Sequence, residues 1–265
     1  MFTGTLNGLF SLGAGITDNS LGDTVWFNSG ALIPDSSYTY SYTATNGFGC
    51  TGTVNSNIHV NELPIVGVSV DGTEFCSDET GIGVNPVPIP GPNDSLIYDG
   101  MLQTYNPSNN YPLDANILDT GQVIVEYIYR NADGCKSTAY DTITIYPTPD
   151  VYFSLGSFCI ADTIHFREPS TVNGATITDY TWWFTDFNGT MTSSAQDTSI
   201  LFNYPATRSV RLTLNTAAGC SNFYEVGGYF GDRPALDFTW DNECMLDPSG
   251  TNTQFTDLTP VADGV

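Results

Sequence analysis

The sequence predicts an all-β protein built from several small antiparallel β-sandwiches in tandem. Strand patterns recur along all 265 residues, and no stretch shows sustained helical periodicity. The dipeptide Gly-Cys recurs at one interval, since its cysteines at positions 50, 135 and 220 are 85 residues apart (135 − 50 and 220 − 135). A fixed period indicates an array of similar repeats, and this period is the size of one small sandwich. We therefore expect the repeats to form an elongated array.

Each repeat ends in a predicted β-hairpin. Alternating, β-branched and aromatic residues predict its first strand, at 38–45, 123–129 and 210–215. A turn follows, rich in Gly, Asn and Asp, which tolerate the positive φ of tight turns. A cysteine then opens the second strand, and a proline, which cannot continue a ladder, ends it. The repeats predicted in this way are 1–62 (incomplete), 63–147, 148–233 and 234–265 (incomplete).

Charge and cysteine content restrict the class of protein. The chain has 29 Asp and Glu against 6 Lys and Arg, for a net charge of −23, which opposes binding to nucleic acid and to anionic membranes. Six regularly placed cysteines indicate an oxidising compartment. No run reaches the length of a transmembrane segment, and no signal peptide is recognised. We expect an internal part of a longer exported protein, with no membrane insertion in this segment.

Two segments resemble a known family of immunoglobulin-like sandwiches. Residues 180–186, Tyr-Thr-Trp-Trp-Phe-Thr-Asp, resemble the Y-x-W-D-F-G-D-G strand of PKD domains, and residues 204–214 are similar to their Y-x-x-x-G-x-Y-x-V-x-L ending. The sequence departs from the family at Trp183 and Thr185, where an acid and a glycine are usual. Residues 238–257 look like the start of another PKD-like copy. The repeats at 1–62 and 63–147 resemble bacterial immunoglobulin-like repeats.

Arrays of this composition, acidic, poor in lysine and with paired cysteines, resemble repeat regions of giant cell-surface adhesins exported by the type IX system of gliding bacteria. The resemblance implies an extracellular stalk on the bacterial cell surface that extends and presents binding regions. Its implied partners are neighbouring repeats of the same polypeptide, surface glycans and other cell-surface proteins. Two alternatives stay open: a carbohydrate-binding accessory region of a secreted polysaccharide-degrading enzyme, and a filament or sheath subunit that assembles by strand exchange.

The sequence offers little for catalysis. The two histidines, His59 and His165, lie in different repeats and in alternating strands, so neither forms a recognisable Ser-His-acid set or a Cys/His metal site. We expect no enzyme, no catalytic residue and no organic cofactor. Ca²⁺ is the ion best suited to Asp and Asn at turns, and Asp186, which matches an acid of the PKD motif, is the candidate ligand. The alternative is that these Asp and Asn residues belong to solvated turns that bind no ion.

The alternation of residues 180–184 predicts that one aromatic side chain lies on the sheet face opposite the core. Tyr180, Trp182 and Phe184 alternate, so one sheet face buries all three and Trp183 points to the other. Trp183 is then either an exposed contact for a sugar or protein partner or a residue covered by a loop.

Four Asp-Ser/Thr-apolar triplets resemble the O-glycosylation sequon of the bacteria that carry such arrays. The alternative is chance in a chain rich in Asp and Thr. The candidate acceptors are Thr24, Ser95, Thr142 and Thr163.

The cysteines allow two patterns of pairing. Bonds within repeats would join Cys76 to Cys135 and Cys159 to Cys220. In an immunoglobulin-like sandwich, however, the chain enters at one end and leaves at the other, which separates the two cysteines of a repeat by a strand length of roughly 20–30 Å. A disulfide needs Cα atoms within about 7 Å. The favoured pairing therefore joins Cys76 to Cys220 of the next repeat, with the pairs within repeats as the alternative.

Overall fold

The computed structural model describes residues 7–11, 13–18, 25–103, 111–156, 158–160, 162–186, 189–241 and 253–260. Within these ranges the regular structure consists of twenty-one β-strands and two short 3₁₀ helices, Ser29–Ala31 and Ala115–Ile117. The prediction of an all-β protein with several separate sheets is confirmed. The chain divides into two compact units, one of Met1–Phe75 with Glu79–Ile145 and one of Cys76–Asp78 with Tyr146–Val265.

The first unit begins with a three-stranded sheet. Its early strands are β1 (Asn7–Phe10), β2 (Ile16–Asp18), β3 (Val25–Phe27), β4 (Ser36–Thr45) and β5 (Thr51–Val60). β4 lies between β1 and β5 and is antiparallel to both, while β2 pairs with β3. The buried Tyr40 of β4 donates its hydroxyl proton to the carbonyl oxygen of Ala14 at 2.7 Å and packs edge-on against Phe27. This side chain therefore joins the β2–β3 pair to the sheet.

The rest of the first unit is a sandwich of two sheets. Its strands are β6 (Gly67–Val70), β7 (Glu74–Cys76), β8 (Val84–Val87), β9 (Ser95–Tyr98), β10 (Met101–Gln103), β11 (Gly121–Arg130) and β12 (Lys136–Tyr146). The last residues of β7 and β12, Cys76 and Tyr146, already belong to the second unit. One sheet has the order β10-β9-β11-β12-β7, and β6 pairs with β8 in the other. Val123, Val125 and Tyr127 alternate along β11 and are fully buried, and Val68 and Val70 of β6 pack against the same core. The alternation thus directs one face of β11 into the sandwich.

The second unit contains another sandwich. Its strands are β13 (Ser154–Leu155), β14 (Thr163–Arg167), β15 (Ile177–Asp186), β16 (Gly189–Ser193), β17 (Thr198–Leu201), β18 (Ala206–Thr216), β19 (Ser221–Phe230), β20 (Phe238–Trp240) and β21 (Phe255–Asp257). The sheets have the orders β16-β15-β18-β19, β13-β14-β17 and β20-β21. Phe166, Trp182 and Leu212 lie fully buried in one core. The indole Nε1 of Trp182 donates to the carbonyl oxygen of Ala195 at 2.9 Å, so its polar group is satisfied.

Three hairpins close through the same five-residue turn. Between β11 and β12, the amide of Asn131 donates to the carbonyl oxygen of Cys135, and Asn131 Oδ1 accepts from the amide of Cys135 at 2.9 Å. The turns at 46–50 and 216–220 repeat both bonds, with Thr216 Oγ1 as the acceptor in the last. The glycine before each cysteine has φ of +84°, +82° or +87°, a region that favours glycine. The 85-residue period is therefore the spacing of one recurring turn.

Candidate functional site: the disulfide of the second unit

The chain contains a disulfide between Cys76 and Cys220, whose Cα atoms are 5.6 Å apart. Cys76 is the last residue of β7, and Cys220 closes the turn before β19. The two cysteines are 144 positions apart in the sequence and fall in two successive repeats, 63–147 and 148–233, as the sequence predicts them. The structure thus has the pairing between repeats that strand topology favours. Cys220 is only 1% exposed, so reductants have little access to its sulfur.

The alternative pairing within repeats is wrong for Cys76 and Cys220, since Cys135 and Cys159 are free thiols. The positions of the cysteines along their strands explain this. Cys159 bridges to Gly231, just after the end of β19, whereas Cys220 directly precedes the start of that ten-residue strand. Ten residues of strand span about 33 Å, well beyond the reach of a disulfide. Cys50, which is exposed, is also a free thiol.

Residues next to Cys76 bind the chain segment that follows β12. The amide of Ser77 donates to the carbonyl oxygen of Tyr146 at 2.8 Å, and Ser77 Oγ accepts from the amide of Thr148 at 2.9 Å. Thr148 Oγ1 donates to Asp78 Oδ1. Residues 76–78 therefore continue alongside residues 146–148 as part of the second unit.

A residue close to Cys220 in the sequence also hydrogen-bonds to the segment that follows β12. Asn222 Nδ2 donates to the carbonyl oxygen of Pro149 at 2.9 Å. Pro147 and Pro149 have no amide proton. The amide of Thr148 is therefore the one backbone donor of residues 147–149, and it donates to Ser77 Oγ. The disulfide and these hydrogen bonds join three parts of the chain that are distant in sequence: 76–78, 146–149 and 220–222.

Among the side chains that the structure describes, no cluster of three or more His, Cys, Asp or Glu occurs. The backbone of Asp186 ends β15, but its side chain lies outside what the structure describes. His59 lies exposed on β5, with its Nε2 3.4 Å from Asp35 Oδ1. His165 lies exposed on β14. The described part of the chain has no helix with the length and apolarity required to cross a bilayer.

The candidate glycosylation residues lie on separate strands. Thr142 and Thr163 are exposed on β12 and β14, and Ser95 is half-buried at the start of β9. Thr24 lies outside the described residues. Asp141, the acid before Thr142, accepts hydrogen bonds from the amides of Val70 and Thr142, both at 2.8 Å. The acid of this triplet therefore has a structural role whether or not Thr142 carries a sugar.

Trp183 is 48% exposed, while the neighbouring Trp182 is completely buried. The predicted alternation of faces along β15 is therefore present, with Trp183 on the outer face of the four-stranded sheet. Arg211 and Glu225, which line one recess together with Trp183, have no recognisable motif and come from two other strands. The alternation along β15 predicts the outward position of Trp183, but no sequence pattern predicts its neighbours on the other strands.

Neither a family model nor a curated protein matches the chain. Among solved structures, the PKD1 domain of Vibrio anguillarum Epp is 21% identical, with coverage of 32% of this chain and 96% of that one and a TM-score of 0.28. A structure from a 1.5-MDa bacterial ice-binding adhesin is 17% identical over 75% of this chain and 74% of that one, with a TM-score of 0.30. A tetra-tandem repeat from the extending region of a large adhesion protein is 16% identical over 98% of this chain and 81% of that one, with a TM-score of 0.29. These TM-scores are too low to indicate a shared function.

Proposed function

We propose that this chain is a structural segment of a large extracellular adhesin, where it extends the molecule and presents binding regions that lie elsewhere in the polypeptide. The observation that carries the proposal is the disulfide between Cys76 and Cys220, because it connects successive sequence repeats covalently. Such a bond suits a protein that works outside the cell, where disulfides form and persist. The role is mechanical, and we assign no catalytic residue to the chain.

The proposal includes repeat boundaries at 62/63, 147/148 and 233/234. The principal partners of each repeat are the neighbouring repeats of the same polypeptide. The sequence resemblance supports the finer assignment to surface proteins exported by the type IX system of gliding bacteria. The net charge of −23 and the sparse cations support a solvated protein that repels nucleic acid. Antibodies against the chain should label intact source cells, and labelling only after permeabilisation would contradict the surface location.

Small-angle scattering of the oxidised chain tests the extending role. The two complete and two incomplete repeats add up to about three repeat lengths. Placed end to end, at about one ten-residue strand or 33 Å for each repeat length, they give a rod of about 100 Å with a radius of gyration of about 30 Å. A compact domain of this length would have a radius of gyration of about 18 Å. A value near the compact one, in a sample shown to be monomeric, would contradict the proposal.

A further inference from the structure

The outer face of the four-stranded sheet carries a recess of about 200 Å³, lined by Trp183, Thr185, Ser209, Arg211 and Glu225. Three neighbouring strands supply these residues. Trp183 of β15 is the Cα partner of Arg211 of β18, and Arg211 is the Cα partner of Glu225 of β19. The recess therefore has one exposed aromatic wall next to a row of polar side chains.

The polar side of the recess is fixed by its own contacts. Arg211 donates from Nε and Nη2 to Glu225 Oε2 at 2.7 and 2.6 Å, and Ser209 Oγ donates to the other carboxylate oxygen. The Arg211 guanidinium also lies over the ring of Phe223, with its Cζ 4.4 Å from the ring centroid. Because these side chains are already ordered, a ligand that binds them loses less conformational entropy.

Two further hydrogen bonds fix the floor. Thr185 Oγ1 accepts from the amide of Ser209 at 2.7 Å and donates to its carbonyl oxygen. The hydrogen bonds from Ser209 and then Arg211 lower the pKa of Glu225. The carboxylate therefore stays an acceptor in mildly acidic solution.

Size and charge restrict the ligand. The recess is smaller than the roughly 300–1,000 Å³ of pockets for drug-sized molecules, so it suits a single ring. A flat aromatic face beside fixed donors and acceptors suits a ring with an apolar face and polar edges. A nucleobase would also stack, but the net charge of −23 opposes its phosphates. Acidic sugars are opposed by the same charge, and Glu225 already compensates Arg211.

We propose that this recess binds an uncharged pyranose unit of a glycan. Trp183 stacks on the apolar face of the ring, and Arg211 and Glu225 hydrogen-bond its hydroxyl groups. This adds a glycan-binding activity to the mechanical role and does not depend on that role.

Titration with neutral and acidic hexasaccharides tests the proposal, with indole NMR resonances and calorimetry as readouts. The neutral probes are cellohexaose, mannohexaose and N-acetylchitohexaose, and the acidic probe is hexagalacturonate. We expect at least one neutral probe to bind and to shift the Trp183 resonance, and the acidic probe to bind more weakly. Trp183→Ala should weaken binding at least tenfold, Glu225→Gln should weaken it less, and Trp183→Phe should keep most of it.

Trp26→Ala is the matched control, because Trp26 is 67% exposed on β3 and lies outside the recess. It should leave the affinity unchanged. Unchanged thermal unfolding of Trp183→Ala would show that its effect is local. The proposal is overturned if no neutral probe binds at 10 mM, if Trp183→Ala binds as well as the wild type, or if Trp26→Ala loses as much affinity.

Discussion

Adjacent tryptophans on β15 show how one strand serves two environments. Trp182 is completely buried, stacks parallel to Phe184 with ring centroids 6.1 Å apart, and donates its indole proton to the carbonyl oxygen of Ala195. Trp183, one residue later, is half exposed on the opposite face. The two-residue period of a strand is sufficient to separate a core residue from a surface residue.

Trp182→Ala should lower the free energy of unfolding of the second unit by about 3–5 kcal/mol, because it leaves a large cavity. Trp183→Ala should change it by less than about 1 kcal/mol, as is usual for exposed positions. Urea unfolding followed by circular dichroism measures both. Equal losses for the two variants would show that Trp183 also supports the fold.

At the scale of elements, the three equivalent hairpin turns explain both what the sequence predicts and what it does not. A turn is a local feature, so glycine and its neighbouring cysteine mark it directly. Sheet order in the first unit, β10-β9-β11-β12-β7, depends on pairing between distant strands and has no comparable signal. The sequence does not predict the recess at Trp183 for the same reason. Arg211 and Glu225 come to lie beside Trp183 only through the register of three strands.

Gly134→Ala tests the turn in the first unit. Gly134 has φ of +82° and open space around its missing Cβ, so the cost should come from the backbone conformation, about 1–2 kcal/mol of unfolding free energy. Gly67→Ala is the control, because Gly67 lies in β6 with equal space and no positive φ. It should change stability by less than about 0.5 kcal/mol. Similar losses from both variants in urea unfolding would contradict this assignment.

At the scale of the whole molecule, the disulfide joins two cysteines that are far apart in the sequence. It closes a loop across a sequence separation of 144 residues, and large loops restrict the unfolded chain most. Replacing both cysteines, Cys76→Ser with Cys220→Ser, should lower the free energy of unfolding of the second unit by roughly 2–5 kcal/mol. Calorimetry of the variant and of the oxidised wild type measures the change. As a control, Cys50→Ser removes an exposed free thiol and should have no effect.

The same bond also determines which residues a pulling force can reach. Tension applied at the two ends of the chain passes from Cys76 through the sulfur atoms to Cys220, so the 143 residues between them (220 − 76 − 1) are outside the covalent path of the force. Fully extended, the 144 backbone steps between the two cysteines would measure about 500 Å at roughly 3.5 Å per residue. While the bond is intact, that length does not contribute to the extension of the chain. Cleavage of the bond by a reductant would place these residues in the path of the force, and their unfolding would then lengthen the chain.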